Sequence, residues 1–114
     1  MTMPTQRRDE NLYLKAVFRL LRAGARSNLK KVIEKSHPSD LAWIVEKMPR
    51  SDRREFIPLL IENKKFGDVL METKESFRHE IVPELDDEML IQLLNEVTSD
   101  DAVDLLEPLS QERI

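Results

Sequence analysis

The strongest constraint on the fold is an apolar pattern that recurs every 24–25 residues. Each copy fills the i, i+3, i+4 and i+7 positions of one helix face, and Thr73 closes the second copy. The three stripes are Leu41/Ile44/Val45/Met48, Phe66/Val69/Leu70/Thr73 and Leu90/Leu93/Leu94/Val97. A second helix in each unit ends near Pro58, Pro83 or Pro108, at intervals of 25 residues. Two helices per unit of this length indicate a helical array, in which each hairpin buries its stripe against the next.

The fold is therefore predicted to be all-α, a right-handed superhelical stack of about eight short helices. Only two glycines and no alternating apolar pattern leave little room for a sheet, although a simple compact bundle is the alternative. The three stripes should share one continuous core.

Local signals divide the chain further. Residues 1–8 lack periodicity and are predicted to be disordered, and helix one should run from about Asp9 to a stop at Gly24. Ser27 is a candidate N-cap for a second helix, and Pro38 suits the first turn of a third. The later capping candidates are Ser51-Asp52, Thr73 with Ser76, and Thr98-Ser99.

The charge of the chain is uneven. Residues 1–37 carry nine Lys/Arg and three acids, a net charge of +6, whereas residues 38–114 carry nine Lys/Arg and nineteen acids, a net charge of −10. An acidic part of this kind repels nucleic acid and attracts cations or basic partners. The absence of cysteine excludes disulfides and thiolate metal sites. No apolar run approaches the roughly 20 residues that span a bilayer, and we interpret the chain as cytosolic.

Signals of catalysis are missing. His37 and His79 stand 42 residues apart without a metal-ligand spacing around them, and each is expected to be a capping or surface residue. The sequence has no glycine-rich phosphate loop, no thiol and no Gly-x-Ser-x-Gly motif, so an enzyme is not expected. The basic residues between Arg7 and Arg26 are interpreted as a solvated helix face rather than a phosphate-binding one.

The tightest cluster of acids lies in the segment Ser99-Asp100-Asp101-Ala102-Val103-Asp104. Acids in the first turn of a helix gain roughly 0.3–1 kcal/mol from the helix dipole, whereas like charges at i and i+4 cost roughly 0.2–0.5 kcal/mol. The dipole therefore compensates Asp100 and Asp101 but not Asp104. Carboxylates on a face away from the core suit a hard divalent ion.

Two strings carry a family resemblance: His37-Pro38-Ser39-Asp40-Leu41-Ala42, and Ser99-Asp100-Asp101-Ala102-Val103-Asp104-Leu105-Leu106. In this order, on this repeat, they resemble the cytosolic N-terminal domain of MgtE-type magnesium channels, over about Ser27 to Leu109. The resemblance implies a regulatory domain in which Mg²⁺, bound at the interface with CBS domains, favours the closed pore. By resemblance, the metal-contacting acids are Asp68, Asp100 and Asp104.

The same resemblance implies a setting. The 114 residues should form one N-terminal-like domain, a fragment of a longer membrane protein whose CBS and transmembrane domains are its partners and whose parent is a homodimer. Neither nucleic acid nor a small-molecule substrate is expected, and Mg²⁺ should bind only weakly to the isolated domain. The alternative is a helical-repeat interaction scaffold without metal sensing, similar to flagellar motor switch domains.

Overall fold

The computed structural model describes residues 7–109, including the side chains of residues 11–107 and 109. This part of the chain is all helical and contains no strand, as the repeat predicts. The helices are α1 (Arg7–Arg22), α2 (Arg26–Lys35), α3 (Pro38–Lys47), α4 (Arg50–Glu62), α5 (Phe66–Met71), α6 (Glu75–Ile81), α7 (Asp87–Glu96) and α8 (Ser99–Leu106). Short 3-10 turns follow α6 (Val82–Glu84) and α8 (Glu107–Leu109). None of these helices is both long and apolar enough to cross a membrane.

The first two repeat stripes form the centre of the core, as predicted. All four residues of each stripe are buried, on α3 and at its end for the first, and on α5 and just after it for the second. The third stripe joins the same core but is less enclosed: Leu93 is fully buried, Leu90 and Val97 are half-buried and pack against the core, and Leu94 is half-buried. The reason is that α7 packs against α5 and α4 along one side, so only the central residue of its stripe is enclosed.

Several helix boundaries lie where the sequence predicts them. Pro38 occupies the first turn of α3, and Gly24 follows α1 with a φ of 69°, a left-handed conformation that glycine adopts without strain. Helix α1 begins at Arg7, two residues before the predicted start, so the prediction of disorder for residues 1–8 is wrong for residues 7 and 8. Residues 1–6 lie outside the described residues. Thr98 caps α8 by accepting a hydrogen bond from the Asp101 N–H at 3.2 Å.

The other predicted caps are wrong. Helix α2 begins at Arg26 with Ala25 as its N-cap, because the turn at Gly24 already brings the Leu29 N–H within 3.0 Å of the Ala25 carbonyl oxygen. The predicted cap Ser27 therefore lies inside the first turn of α2.

At α4 the N-cap is Pro49, which leaves Ser51 and Asp52 within the helix, and at α6 it is Lys74. The Thr73 hydroxyl donates backwards to the Leu70 carbonyl instead of capping α6. The prolines also differ among themselves, since Pro58 lies inside α4, whereas Pro83 and Pro108 lie in the 3-10 turns that follow their helices.

Some basic residues of the first two helices form ion pairs with acids of α4. Arg22 of α1 pairs with the buried Asp52 of α4 at 3.2 Å, and Arg26 and Lys30 of α2 pair with Glu62 at the other end of α4 at 2.9 and 3.3 Å. Of the basic residues on this face, Lys15, Arg19, Arg22 and Arg26 are exposed, as expected. The pairs made by Arg22 and Arg26 also hold the face to α4.

Candidate metal-binding surface

Asp68 lies in the first turn of α5 and its side chain is exposed. Its neighbours Phe66, Val69 and Leu70 are buried, with exposures of 0–1%. The carboxylate therefore points away from the core, as the helical wheel predicts for a residue opposite the apolar stripe.

A close approach of two helices fixes the surroundings of Asp68. Gly67 is buried against the end of α7, where a Cβ atom added to it would lie 2.8 Å from Val97 Cγ1 and 3.2 Å from Glu96 Cβ. The Gly67 N–H donates to Glu96 Oε1 at 3.0 Å. Only a residue without a side chain permits this contact, and the contact places Glu96 next to Asp68.

The pKa of the Glu96 carboxyl is shifted by its burial and by its acidic neighbour. Burial raises the pKa of the Glu96 carboxyl, and the negative charge of Asp68 raises it further, while the hydrogen bond from Gly67 and the charge of Lys64 lower it. Two carboxylates that repel each other at a partly exposed position would both be stabilised by a bound cation. Glu96 is thus a fourth acid that the sequence reasoning missed. Its place in the last turn of α7, where the helix dipole disfavours an acid, is the signal that could have found it.

Asp100 and Asp104 are exposed on α8, one turn apart on the same face. The opposite face buries Leu105 completely. Val103 lies between the two acids in sequence and is 69% exposed. The outer face of α8 therefore presents two carboxylates with an exposed apolar side chain beside them.

The chain path relates these acids to each other. Asp100 follows Glu96 by only four residues, so their Cα atoms are at most about 14 Å apart, and Gly67 holds Asp68 against Glu96. We call Asp68, Glu96, Asp100 and Asp104 the acidic surface. Within residues 7–109, however, no three His, Cys, Asp or Glu side chains are grouped closely enough to hold a metal ion. The chain thus offers carboxylates on an open surface and not a closed coordination sphere.

The histidines do not join this surface. A surface or capping position is expected for each from its sequence context, and both His37 and His79 are exposed. His37 is the N-cap residue of α3 without a capping hydrogen bond from its side chain, and His79 Nε2 lies 3.6 Å from Glu75 Oε1.

Residues 7–109 thus form an all-α stack of short helices with an open acidic surface. The family model described as the MgtE intracellular N domain matches residues 36–114. The chain belongs to this family, which forms part of magnesium transporters and not of enzymes. The match contains the whole acidic surface and begins nine residues later than the predicted Ser27. No curated protein and no solved structure matches the chain.

Proposed function

We propose that this chain is the cytosolic regulatory domain of a magnesium transporter, and that Mg²⁺ at Asp68, Asp100 and Asp104 holds it against CBS domains of the same parent chain. The docked arrangement favours the closed pore. Family membership supports the setting, and the exposed acids on helix faces opposite the core support the metal contact.

The observation that carries the proposal is the openness of the acidic surface. Mg²⁺ prefers octahedral oxygen ligation, keeps several waters and is usually bound through one or two carboxylates. Exposed carboxylates on α5 and α8 offer such a half-site, and a facing acidic domain would complete it. Without a cation the two acidic surfaces would repel each other, so docking depends on Mg²⁺.

The size of the effect follows from linkage. If only the docked state binds the ion, its stabilisation grows as RT ln(1 + [Mg]/Kd), which is roughly 2.7 kcal/mol at one hundred times Kd. That energy is large enough to change a two-state gate from mostly open to mostly closed.

A titration of the isolated chain with Mg²⁺ tests the half-site. Calorimetry should show weak binding only, because the chain supplies no closing wall of ligands within residues 7–109. Submicromolar binding would mean that the site is complete in this chain, and it would rule out the two-domain arrangement.

The decisive experiment replaces Asp68, Asp100 and Asp104 with Asn in the full-length transporter. This change removes three charges and nearly keeps the shape, so channel current should persist to higher Mg²⁺ concentrations and protection of the domain linker from protease should require more Mg²⁺. The control variant replaces three exposed acids elsewhere, Glu34, Glu55 and Glu75, with Gln. Closure of the triple Asn variant at the unmodified Mg²⁺ concentration would exclude these residues from the latch.

One observation favours a second candidate, an interaction scaffold without metal sensing. Ile91 on α7 and Val103 on α8 are 60% and 69% exposed, and a protein partner that docks on these helices would bury both side chains. In a pure scaffold, Val103→Ser would weaken docking equally at every Mg²⁺ concentration, and the triple Asn variant would leave docking unchanged.

A further inference from the structure

A cavity apart from the acidic surface lies between α4 and the segment that joins α6 to α7. Its volume is about 290 Å³. One wall consists of Arg50, Arg53 and Arg54 of α4, and the apolar wall includes Ile81, Leu85 and Met89. The cavity therefore combines a strongly basic side with an apolar one.

The three arginines share one face of α4 at its N-terminal end. They occupy positions i, i+3 and i+4, beginning with the first residue of the helix. Cations are disfavoured there, because the N-terminus is the positive end of the helix dipole. The N-cap residue, Pro49, provides no side-chain acceptor for the free backbone N–H groups. This end of α4 thus concentrates positive potential beside the cavity.

Arg53 shows that the cavity is more than a basic surface. Its side chain is only 9% exposed, and its guanidinium lies over the Phe77 ring, with the Cζ atom 5.4 Å from the ring centroid. Nη2 donates to Glu80 Oε1 at 3.3 Å, but Nε is buried and has no hydrogen-bond partner. A buried donor without an acceptor is costly, and this donor belongs to a side chain that lines the cavity.

The two other arginines are more accessible. Arg50 pairs with Glu84 Oε2 at 2.9 Å through Nη2, and Arg54 is exposed and forms no ion pair within the described part of the chain. With the carboxylates of Glu80 and Glu84 counted, the five ionised groups leave one net positive charge beside the dipole of α4. An anion in the cavity would offset this charge.

We propose that this cavity binds a small organic oxyanion, a phosphate or carboxylate group carried on a compact apolar body. The planar fork of an arginine matches both kinds of oxyanion, and the apolar body would contact Ile81, Leu85 and Met89. The volume lies just below the roughly 300–1,000 Å³ that is usual for ligand pockets, which favours a ligand of the size of one ring. This site is independent of Mg²⁺ and of the acidic surface.

The test is a titration of the ¹⁵N-labelled full chain in magnesium-free buffer, followed by NMR. Phenyl phosphate and benzoate present the two candidate anionic groups on the same ring, and inorganic phosphate is the probe without an apolar body. Saturable shifts at the amides of Arg50–Arg54 and residues 81–89 are expected with at least one ring compound. Inorganic phosphate should bind more weakly than phenyl phosphate.

Variants connect the binding to the arginines. Arg54→Gln should weaken binding of the organic probe about tenfold, which corresponds to about 1.4 kcal/mol. Arg54 is exposed, so this variant should fold even if substitution of the buried Arg53 does not. Arg19→Gln, an exposed arginine on α1, is the matched control and should leave the affinity unchanged.

Three results would overturn the proposal: no saturable shifts at these amides with either ring compound, an equal loss of affinity in Arg19→Gln and Arg54→Gln, or inorganic phosphate binding as tightly as phenyl phosphate. The first would show that the cavity holds only solvent. The second would show that Arg54 acts only through the net charge of the chain. The third would show that the apolar wall does not contribute to binding.

Discussion

The contact of Gly67 with α7 allows a prediction that tests packing and site together. Alanine normally stabilises a helix by about 0.5–1 kcal/mol relative to glycine. Here the new Cβ atom would lie 2.8 Å from Val97 Cγ1, so the helices must separate by about 0.6 Å to restore an ordinary contact of 3.4 Å. Val97 is β-branched and stiff, and the same shift strains the 3.0 Å hydrogen bond to Glu96.

The magnitude follows from these opposing terms. Overpacking costs about 1–3 kcal/mol, and the gain in helix propensity offsets less than 1 kcal/mol of it. Gly67→Ala should therefore lower the free energy of unfolding by about 0.5–2 kcal/mol, measured by urea denaturation. In a Val97→Ala background, which removes the clashing Cγ1, the cost of Gly67→Ala should fall by about 1 kcal/mol.

Gly24 provides the control for this cycle. Its φ of 69° is left-handed and no atom lies within 4 Å of an added Cβ, so Gly24→Ala should destabilise through backbone strain alone. Val97→Ala should not rescue it. If Gly67→Ala stabilises the unmodified chain, or if Val97→Ala rescues both variants equally, the steric account of Gly67 is wrong.

Three further predictions concern stability. Leu93→Ala should cost roughly 2–5 kcal/mol because Leu93 is fully buried, whereas the half-buried Leu94 should cost clearly less; equal losses on denaturant unfolding would contradict the described packing of α7. Lys65 caps the C-terminal end of α2, because its Nζ donates to the carbonyl oxygens of Ile33, Glu34 and Ser36 at 2.7–2.9 Å. Lys65→Met should therefore lower the free energy of unfolding by about 1–3 kcal/mol, and an unchanged thermal midpoint would refute this capping role. Glu96 has a raised pKa in the folded state, so its ionisation costs stability at neutral pH and the cost vanishes as the pH falls below 4.5, the ordinary value for Glu. Glu96→Gln should therefore stabilise most at pH 7 and progressively less towards pH 4, and a difference that does not vary with pH would show that Asp68 and burial do not act on Glu96.

The sequence predicts those parts of the fold that depend on local geometry. The spacing of the stripes predicts helices, and Pro38 fits only the first turn of a helix. The number of helices and most of their boundaries therefore follow from the sequence. The capping predictions at Ser27 and Ser51 were wrong because the backbone conformation of the preceding turn decides which residue becomes the N-cap. At Gly24 and Pro49 that turn starts the helix before the serine is reached.

The candidate site was also only partly predictable from the sequence. Asp68, Asp100 and Asp104 could be chosen by motif and by helix face, whereas the place of Glu96 beside Asp68 depends on a contact between residues 29 apart in the chain. The absent side chain of Gly67 is what allows that contact, because any Cβ would push α5 away from the end of α7. Glycine before the aspartate is thus a packing requirement with an electrostatic consequence: the close approach that completes the core also brings two carboxylates together at the surface. A cation bound there would relieve a repulsion that the packing itself creates.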